Sequence, residues 1–428
     1  MQTHFSDFQL KDPHIADANG ILRKCVHCGF CTATCPTYVL HGDENDSPRG
    51  RIYLIKNMLE KGEAATPETV KHVDRCLSCL SCMTTCPSGV NYMHLIDHAR
   101  THIEDTYKRP LIDRIQRNVL AFIMPRPNLF RLALIGAKLI SPFKSVIAAL
   151  GGKRFSAMLA ILPQKLEAPM ALGSAGIYQS IGWRKGRVAL LRGCVQSVLD
   201  PNINAATIRL LTRLGYEVII TDSNTCCGSI THHMGKEAPA LSSAKAMIDQ
   251  WTEAKVDHII ITTSGCGVTI KDYGHMLRLD SAYASKAKVI SAKARDISEF
   301  LAQTEIPEAQ MNIRIAYHAP CTLQHGQQLK TQAQALLRRV GFDVHEVPEG
   351  HLCCGSAGTY NMMQPEISGQ LLKRKLANIN ATAPQIIATG NIGCMMQIGS
   401  ATQTPIVHTI ELLDWATGGP KPSKLSQI

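Results

Sequence analysis

Two runs of cysteines have a spacing that could do chemistry. CVHCGFCTATCP carries Cys25, Cys28, Cys31 and Cys35 ahead of Pro36, and CLSCLSCMTTCP carries Cys76, Cys79, Cys82 and Cys86 ahead of Pro87. Both follow C-x2-C-x2-C-x3-C-P. In that pattern three thiolates wrap the corners of one 4Fe-4S cube, and the fourth cysteine, leaving on a helix turned by the proline, reaches a second cube. On this rule Cys25, Cys28, Cys31 and Cys86 serve one cluster, and Cys76, Cys79, Cys82 and Cys35 the other. Paired C-x2-C motifs also suit tetrahedral zinc, but zinc has no use for a third cysteine and a Cys-Pro at fixed spacing in both runs. The chemistry implied is electron relay, and no residue of the chain reads as catalytic for an organic substrate.

The other eight cysteines form a second pattern. Cys194, Cys226, Cys227 and Cys266 make one set, and Cys321, Cys353, Cys354 and Cys394 another. The first cysteine precedes the Cys-Cys-Gly-Ser pair by 32 residues in both sets, and the last follows it by 39 residues in one and 40 in the other. Self-similarity at a fixed offset implies a duplicated structural unit. Isolated buried cysteines often only fill space, but two Cys-Cys-Gly-Ser segments in register favour a further metal or iron-sulfur cluster, either iron or zinc. A redox dithiol is the rival reading. His318 lies three residues before Cys321, and His232 and His233 follow Cys226 closely. A histidine beside thiolates is more often their hydrogen-bond partner than a ligand.

These residues need elements to position them. RVALLRGC and RIAYHAPC read as buried strands ending at a cysteine, followed by amphipathic helices that close at Gly215 and Gly341 before a β-rich run. A second helix and strand follow in each copy. Strands alternating with helices predict a parallel sheet with the cysteines on loops at its carboxyl edge, where ligands usually bind. Ser47 and Pro48 of SPRGR read as a helix start, in preference to a role for Arg49 and Arg51 in binding a sulfide or a carboxylate.

The chain has 428 residues with 45 Lys and Arg against 34 Asp and Glu. The excess is local: residues 107–187 carry 14 basic residues against Asp113 and Glu167 alone. Without interleaved aromatics or a recognisable module this does not read as a nucleic-acid binder. No run of 18 apolar residues suggests a membrane span, and the N-terminal stretch has no secretory pattern, so reduced thiols in a cytoplasmic protein are expected. In the basic segment Ile112, Ile115, Val119 and Phe122 share one helical face, Leu132, Ile135 and Leu139 another, and Pro125, Pro127, Pro142 and Pro163 cut it into short helices. Three readings are open: peripheral attachment to an anionic membrane, docking on an acidic flavoprotein, or a solvated linker whose apolar faces pack on its own domain.

The order of twin cluster motifs and Cys-Cys-Gly repeats resembles the iron-sulfur subunits of flavin-linked 2-hydroxy-acid dehydrogenases, most of all those of bacterial glycolate oxidases. ILRKCVHCGFCTATCPTY, SPRGRIYLIKNMLE, CPSGVNY and CCGSAGTYN carry the likeness, which extends over essentially the whole chain. It implies flavoprotein partner subunits that hold FAD and oxidise glycolate to glyoxylate, with electrons passing through this chain toward a quinone. No G-x-G-x-x-G follows a strand, consistent with the flavin lying elsewhere. Equivalent subunits of lactate or glycerol 3-phosphate dehydrogenases are the alternatives. Heterodisulfide reductases share the repeat but use five cysteines per copy; here Thr269 and Gln397 occupy the fifth position, which puts that cluster and its thiol chemistry in doubt. A zinc-bound scaffold without electron transfer is a further rival.

The expected fold is α/β: an N-terminal α-helical ferredoxin-like domain with two 4Fe-4S clusters over residues 1–105, a basic helical linker over 106–187, and a duplicated α/β Cys-Cys-Gly domain over 188–310 and 311–428. Anaerobically purified protein should contain about eight iron and eight acid-labile sulfide, or more if the repeats also bind. Stoichiometric zinc without sulfide is the contrary result.

Overall fold

The computed structural model describes residues 1–141, 154, 158–159, 162–163, 166–221 and 226–427. Six helices build the N-terminal unit: α1 (Pro13–Lys24), α2 (Pro36–His41), α3 (Pro48–Lys61), α4 (Pro67–Asp74), α5 (Ser81–Thr85) and α6 (Tyr92–Thr106). Four of them start on proline, whose fixed φ and missing N–H suit the first helical position. Ser47 caps α3 by accepting from the Gly50 N–H at 3.0 Å. Leu22, Ile55, Val73, Leu95, Ile96 and Ile103 are buried in the common core of this unit.

Cys35 is the residue just before α2, so Pro36 turns the chain there as the motif suggests. Cys86 differs. After Pro87 the chain makes a turn through Gly89 at φ +62°, and α6 starts only at Tyr92, capped by Asn91. The proline there ends α5 and does not itself begin a helix.

Two helices, α7 (Leu111–Ile123) and α8 (Pro127–Ile140), cross from this unit to the C-terminal half. Of the three readings open for this segment, packing of its apolar faces on their own domain does not hold for four of the residues: Ile112 is 80% exposed, Phe122 56%, Leu132 65% and Leu139 73%. The inward face of α7 is set by charge. Arg117 ion-pairs with Asp74 at 3.0 Å, and Leu120 and Met124 follow it into a cluster with Met234 and Met363. Pro127 opens α8, whereas Pro142 lies outside the described residues.

Among the described residues the C-terminal half holds two sheets. β1 (Gly176–Tyr178), β2 (Gly186–Leu190), β3 (Tyr216–Ile220), β4 (His258–Ile261) and β5 (Ala294–Asp296) form the first, in the order β1-β3-β2-β4-β5. All its pairs are parallel except β1 with β3. β6 (Arg314–Tyr317), β7 (Asp343–Glu346), β8 (Ile386–Thr389) and β9 (Ile406–His408) form the second, in the order β7-β6-β8-β9 and wholly parallel. The intervening helices include α9 (Asn202–Arg213), α10 (Glu237–Glu253), α11 (Ser264–Lys271), α12 (Gln332–Arg339), α13 (Pro365–Asn380), α14 (Ile392–Gly399) and α15 (Thr409–Ala416). Strands buried on both faces read as continuous Val and Ile runs, as parallel sheets require.

A single core spans both copies, from Val188 and Val218 in the first sheet to Ile315 and Val407 in the second. Across the seam Arg209 and Arg213 of α9 both reach Asp414 of α15 at 2.6 Å. The N-terminal unit is bonded to each copy: His94 to Asp272 at 2.8 Å, and the Tyr360 hydroxyl to the Arg75 carbonyl at 2.9 Å.

Gly235 sits at this junction with φ +80°, and a side chain there would run into the Arg100 carbonyl of α6. Gly20, within α1, has nothing near its missing side chain. Gly235→Ala should therefore lower the thermal midpoint by several degrees, at a cost of about 1–3 kcal/mol. Gly20→Ala should raise it slightly, since glycine costs a helix interior about 0.5–1 kcal/mol against alanine. Thermal unfolding followed by circular dichroism reads both.

Candidate metal centres

The N-terminal cysteines gather as two groups. Cys25, Cys28, Cys31 and Cys86 line one cavity, with Cys82 on its inner wall and Arg49 at its rim. Cys28 is exposed, and so are its neighbours Val26 and Phe30, so this cavity reaches the surface. Cys35, Cys76, Cys79 and Cys82 lie deeper. Burial pushes the Cys79 and Cys82 thiols well above their usual range, and the neighbouring cysteines push the same way. Holding such sulfurs as thiolates calls for positive charge between them, which metal ions supply.

The surrounding protein is built for that charge. Arg51 is fully buried on α3 and fans over the deeper group: its guanidinium donates to the His72 carbonyl at 2.6 Å and to the Thr37 hydroxyl at 3.0 Å, and faces the Cys35 sulfur at 3.8 Å. The Tyr92 hydroxyl approaches the Cys76 sulfur at 3.8 Å. Asp46, also buried, balances Arg51 at 3.4 Å, Arg75 at 2.7 Å and His72 at 2.8 Å. Burial opposes its charge, but His72, Arg51 and Arg75 together hold its carboxyl below the usual range. Ser47 and Pro48 do begin a helix. The sequence favours that helix start over a binding role for Arg49 and Arg51, yet Arg51, one turn into α3, stands beside the Cys35 sulfur, while Arg49 pairs with Glu44.

The repeats show why Cys-Cys is followed by glycine. Gly228 and Gly355 have φ +81° and +92°, and a side chain would sit 2.7 Å from the Ala240 carbonyl or 2.6 Å from that of Ser368. This left-handed turn aims each glycine N–H back at the first cysteine of its pair, Cys226 or Cys353, at 3.4 Å. The four thiols of each copy then form an unbroken series: Cys194 against Cys226, Cys226 against Cys227, Cys227 against Cys266, and likewise Cys321, Cys353, Cys354 and Cys394. Donation from Cys194 and Cys227 holds Cys226 well below the usual thiol range. All the repeat cysteines but Cys266 are buried.

Both series open on one cavity of about 220 Å³, which Cys76 and Cys79 of the N-terminal unit also line. Cys79 packs with Cys321 and Cys353. Arg117 of α7 and Met124, just past its end, also line this space. The fifth positions hold no donor to the sulfurs: Thr269 bonds the Gly265 carbonyl at 3.4 Å, and Gln397 bonds Asn361 and Ser368 at 3.0 and 2.8 Å. His232 and His233 pair with Asp97 of α6 at 3.3 Å and so tie the first repeat to the N-terminal unit. His318 does approach the cysteines, with a ring nitrogen and the sulfurs of Cys354 and Cys394 all within 4.8 Å of one another. Buried, mutually adjacent thiols with few other partners fit iron-sulfur groups in both regions.

Removing one partner of a buried charge network leaves the others unpaired. Arg51→Leu should therefore destabilise the protein by about 3–5 kcal/mol. Arg49→Leu, which breaks only a half-exposed pair with Glu44, should cost no more than about 1 kcal/mol. Denaturant unfolding under anaerobic conditions measures both.

Residues 24–91 match the family model of a 4Fe-4S dicluster domain, and residues 188–271 and 315–399 each match that of a cysteine-rich domain. The chain is 42% identical to the glycolate oxidase iron-sulfur subunit of Escherichia coli K12, over 97% of this chain and 99% of the relative. It is 31% identical to the probable glycolate oxidase iron-sulfur subunit of Bacillus subtilis 168, over 93% and 95%. Lactate utilization protein A of Bacillus licheniformis is 28% identical over 53% of this chain and 99% of its own length. Paired cluster motifs, duplicated cysteine-rich units and likeness along nearly the full chain lead to one conclusion: this chain belongs to the family of glycolate oxidase iron-sulfur subunits.

Proposed function

We propose that this chain is the electron-transfer subunit of a complex whose flavoprotein subunits, carrying FAD, oxidise glycolate to glyoxylate, and that it delivers the electrons to a membrane quinone. The observation that carries the reading is the continuity of the sulfurs, from the exposed Cys28 through the deeper group to Cys79 and on to Cys321 and Cys353. In this reading Cys25, Cys28, Cys31 and Cys86 hold one 4Fe-4S cluster, Cys76, Cys79, Cys82 and Cys35 the second, and the two Cys-Cys-Gly sets hold further iron-sulfur groups. A cluster bound at these residues supplies reversible one-electron transfer, while hydride chemistry on a 2-hydroxy acid belongs to a flavin.

The chain's own residues divide the remaining work. Arg51 and Tyr92 place donors and positive charge beside the deeper sulfurs, which favours the reduced, more anionic state. The core around Leu77, Tyr360 and Leu371 keeps water from the junction with the second repeat. Exposed Val26 and Phe30 beside Cys28 suit an apolar contact with a flavoprotein subunit. No described helix is long and apolar enough to cross a membrane. The outward Ile112, Phe122, Leu132 and Leu139, flanked by exposed Arg114 and Arg126, support peripheral contact of α7 and α8 with an anionic membrane surface. Each nearby basic residue adds about 1 kcal/mol to such a contact.

The test uses the reconstituted complex with a quinone in anionic vesicles. Cys79→Ser should abolish glycolate-dependent quinone reduction while flavin reduction in the partner persists. Ile112→Glu with Phe122→Glu should lower vesicle association at least tenfold and leave reduction of a soluble acceptor intact. Loss of flavin reduction in the Cys79 variant would contradict a relay role. Unchanged vesicle association would contradict the membrane face.

A further inference from the structure

The two repeats are controls for one another, and they differ at one buried position beside the sulfurs. In the first copy β2 runs through Leu191 to Cys194; in the second, β6 runs through His318 to Cys321, so His318 stands where the first copy has Leu191. Leu191 is 3% exposed and packs among Ala189, Ile219 and Cys227, as a leucine should. His318 is 1% exposed, and among the described residues neither of its ring nitrogens has a hydrogen-bond partner. Each buried polar atom left bare costs about 1–3 kcal/mol. An imidazole kept in that position calls for a partner that the described residues do not provide.

The neighbours say what kind of partner. A ring nitrogen of His318 and the sulfurs of Cys354 and Cys394 lie within 4.8 Å of one another, close enough to ligate together. Asn391 also donates to the Cys394 sulfur at 3.4 Å. A second polar exchange accompanies the first. Lys375 on α13 is 2% exposed, and its ammonium donates to the Glu349 carbonyl at 2.9 Å, while Met247 and Ile248 fill the corresponding turn of α10.

We propose that His318 is a protein ligand, together with Cys354 and Cys394, of the iron-sulfur group in the second repeat, whereas the first repeat offers its group cysteine alone. The inference rests on reading the repeats as cluster sites. An imidazole carries no negative charge, so exchanging it for a thiolate at the same position lowers the reduction potential of an iron-sulfur centre. The two repeats are then not equivalent in their ligand sets.

The full chain, prepared anaerobically with nitrogen-15 in histidine only, is assayed for iron and sulfide and examined by pulsed electron paramagnetic resonance after reduction. The expected result is iron above about eight per chain, with a nitrogen-15 coupling of directly bound imidazole that His318→Leu removes. His318→Leu copies the residue of the first repeat and should keep the fold. His318→Cys, which restores a donor, should retain the iron, show no nitrogen coupling and titrate at a lower potential than the native chain. Extra iron with no coupling in the native chain, or with a coupling that survives His318→Leu, would overturn the ligand while leaving the cluster reading of the repeats intact. About eight iron and no more, or zinc in place of the additional iron, would overturn that cluster reading and the proposal with it.

Discussion

Sulfur buried against sulfur is the constraint from which the rest of this structure follows. Fifteen of sixteen cysteines are wholly or partly withdrawn from solvent, only Cys28 being exposed, and no two of them are joined as a disulfide among the described residues. A thiolate carried into a low-dielectric interior loses its hydration, and neighbouring thiolates repel it further. Such a group is tolerable only where positive charge and N–H donors converge on it. Arg51, the glycine amides of both Cys-Cys-Gly turns, and Lys375 are the protein's share of that charge. Iron is the partner that makes the arrangement stable in this reading.

The architecture serves the same end. Parallel sheets gather their loop cysteines at the carboxyl edge, and duplication brings two such edges to face one cavity. The helical unit then closes against both, so that Cys79 joins the second copy's sulfurs and Asp97 ties the first. Rigid surroundings matter here because electron exchange is favoured when the surroundings need little rearrangement. The Asp46 network and the Asp414 seam supply that rigidity through enclosed carboxylates, each paired with arginines.

Much of this was legible in the sequence. The fold class, the two cluster motifs, the repeat and its strand-helix alternation are all spacing patterns, and spacing survives in one dimension. The outward face of α7 was not legible. Periodicity marks Ile112, Ile115, Val119 and Phe122 as a stripe but cannot say whether it faces a core, and the choice is made by Arg117 reaching Asp74, 43 positions earlier in the chain. Arg51 was obscured for a related reason, since its burial depends on Asp46, His72 and Thr37 converging from three other segments. The sequence places His318 near a cysteine, but only the structure leaves its two nitrogens without partners. The strand β1 was missed because an edge strand of three residues gives almost no periodic signal.

The central claim is that these cysteines hold iron in two linked regions. Anomalous diffraction at the iron edge, from crystals of the full chain grown without oxygen, tests it most directly. The account predicts iron within bonding distance of Cys25, Cys28, Cys31 and Cys86, of Cys76, Cys79, Cys82 and Cys35, and again at the Cys-Cys-Gly turns. Peaks at the zinc edge alone, or cysteines paired as disulfides in the native complex, would contradict it.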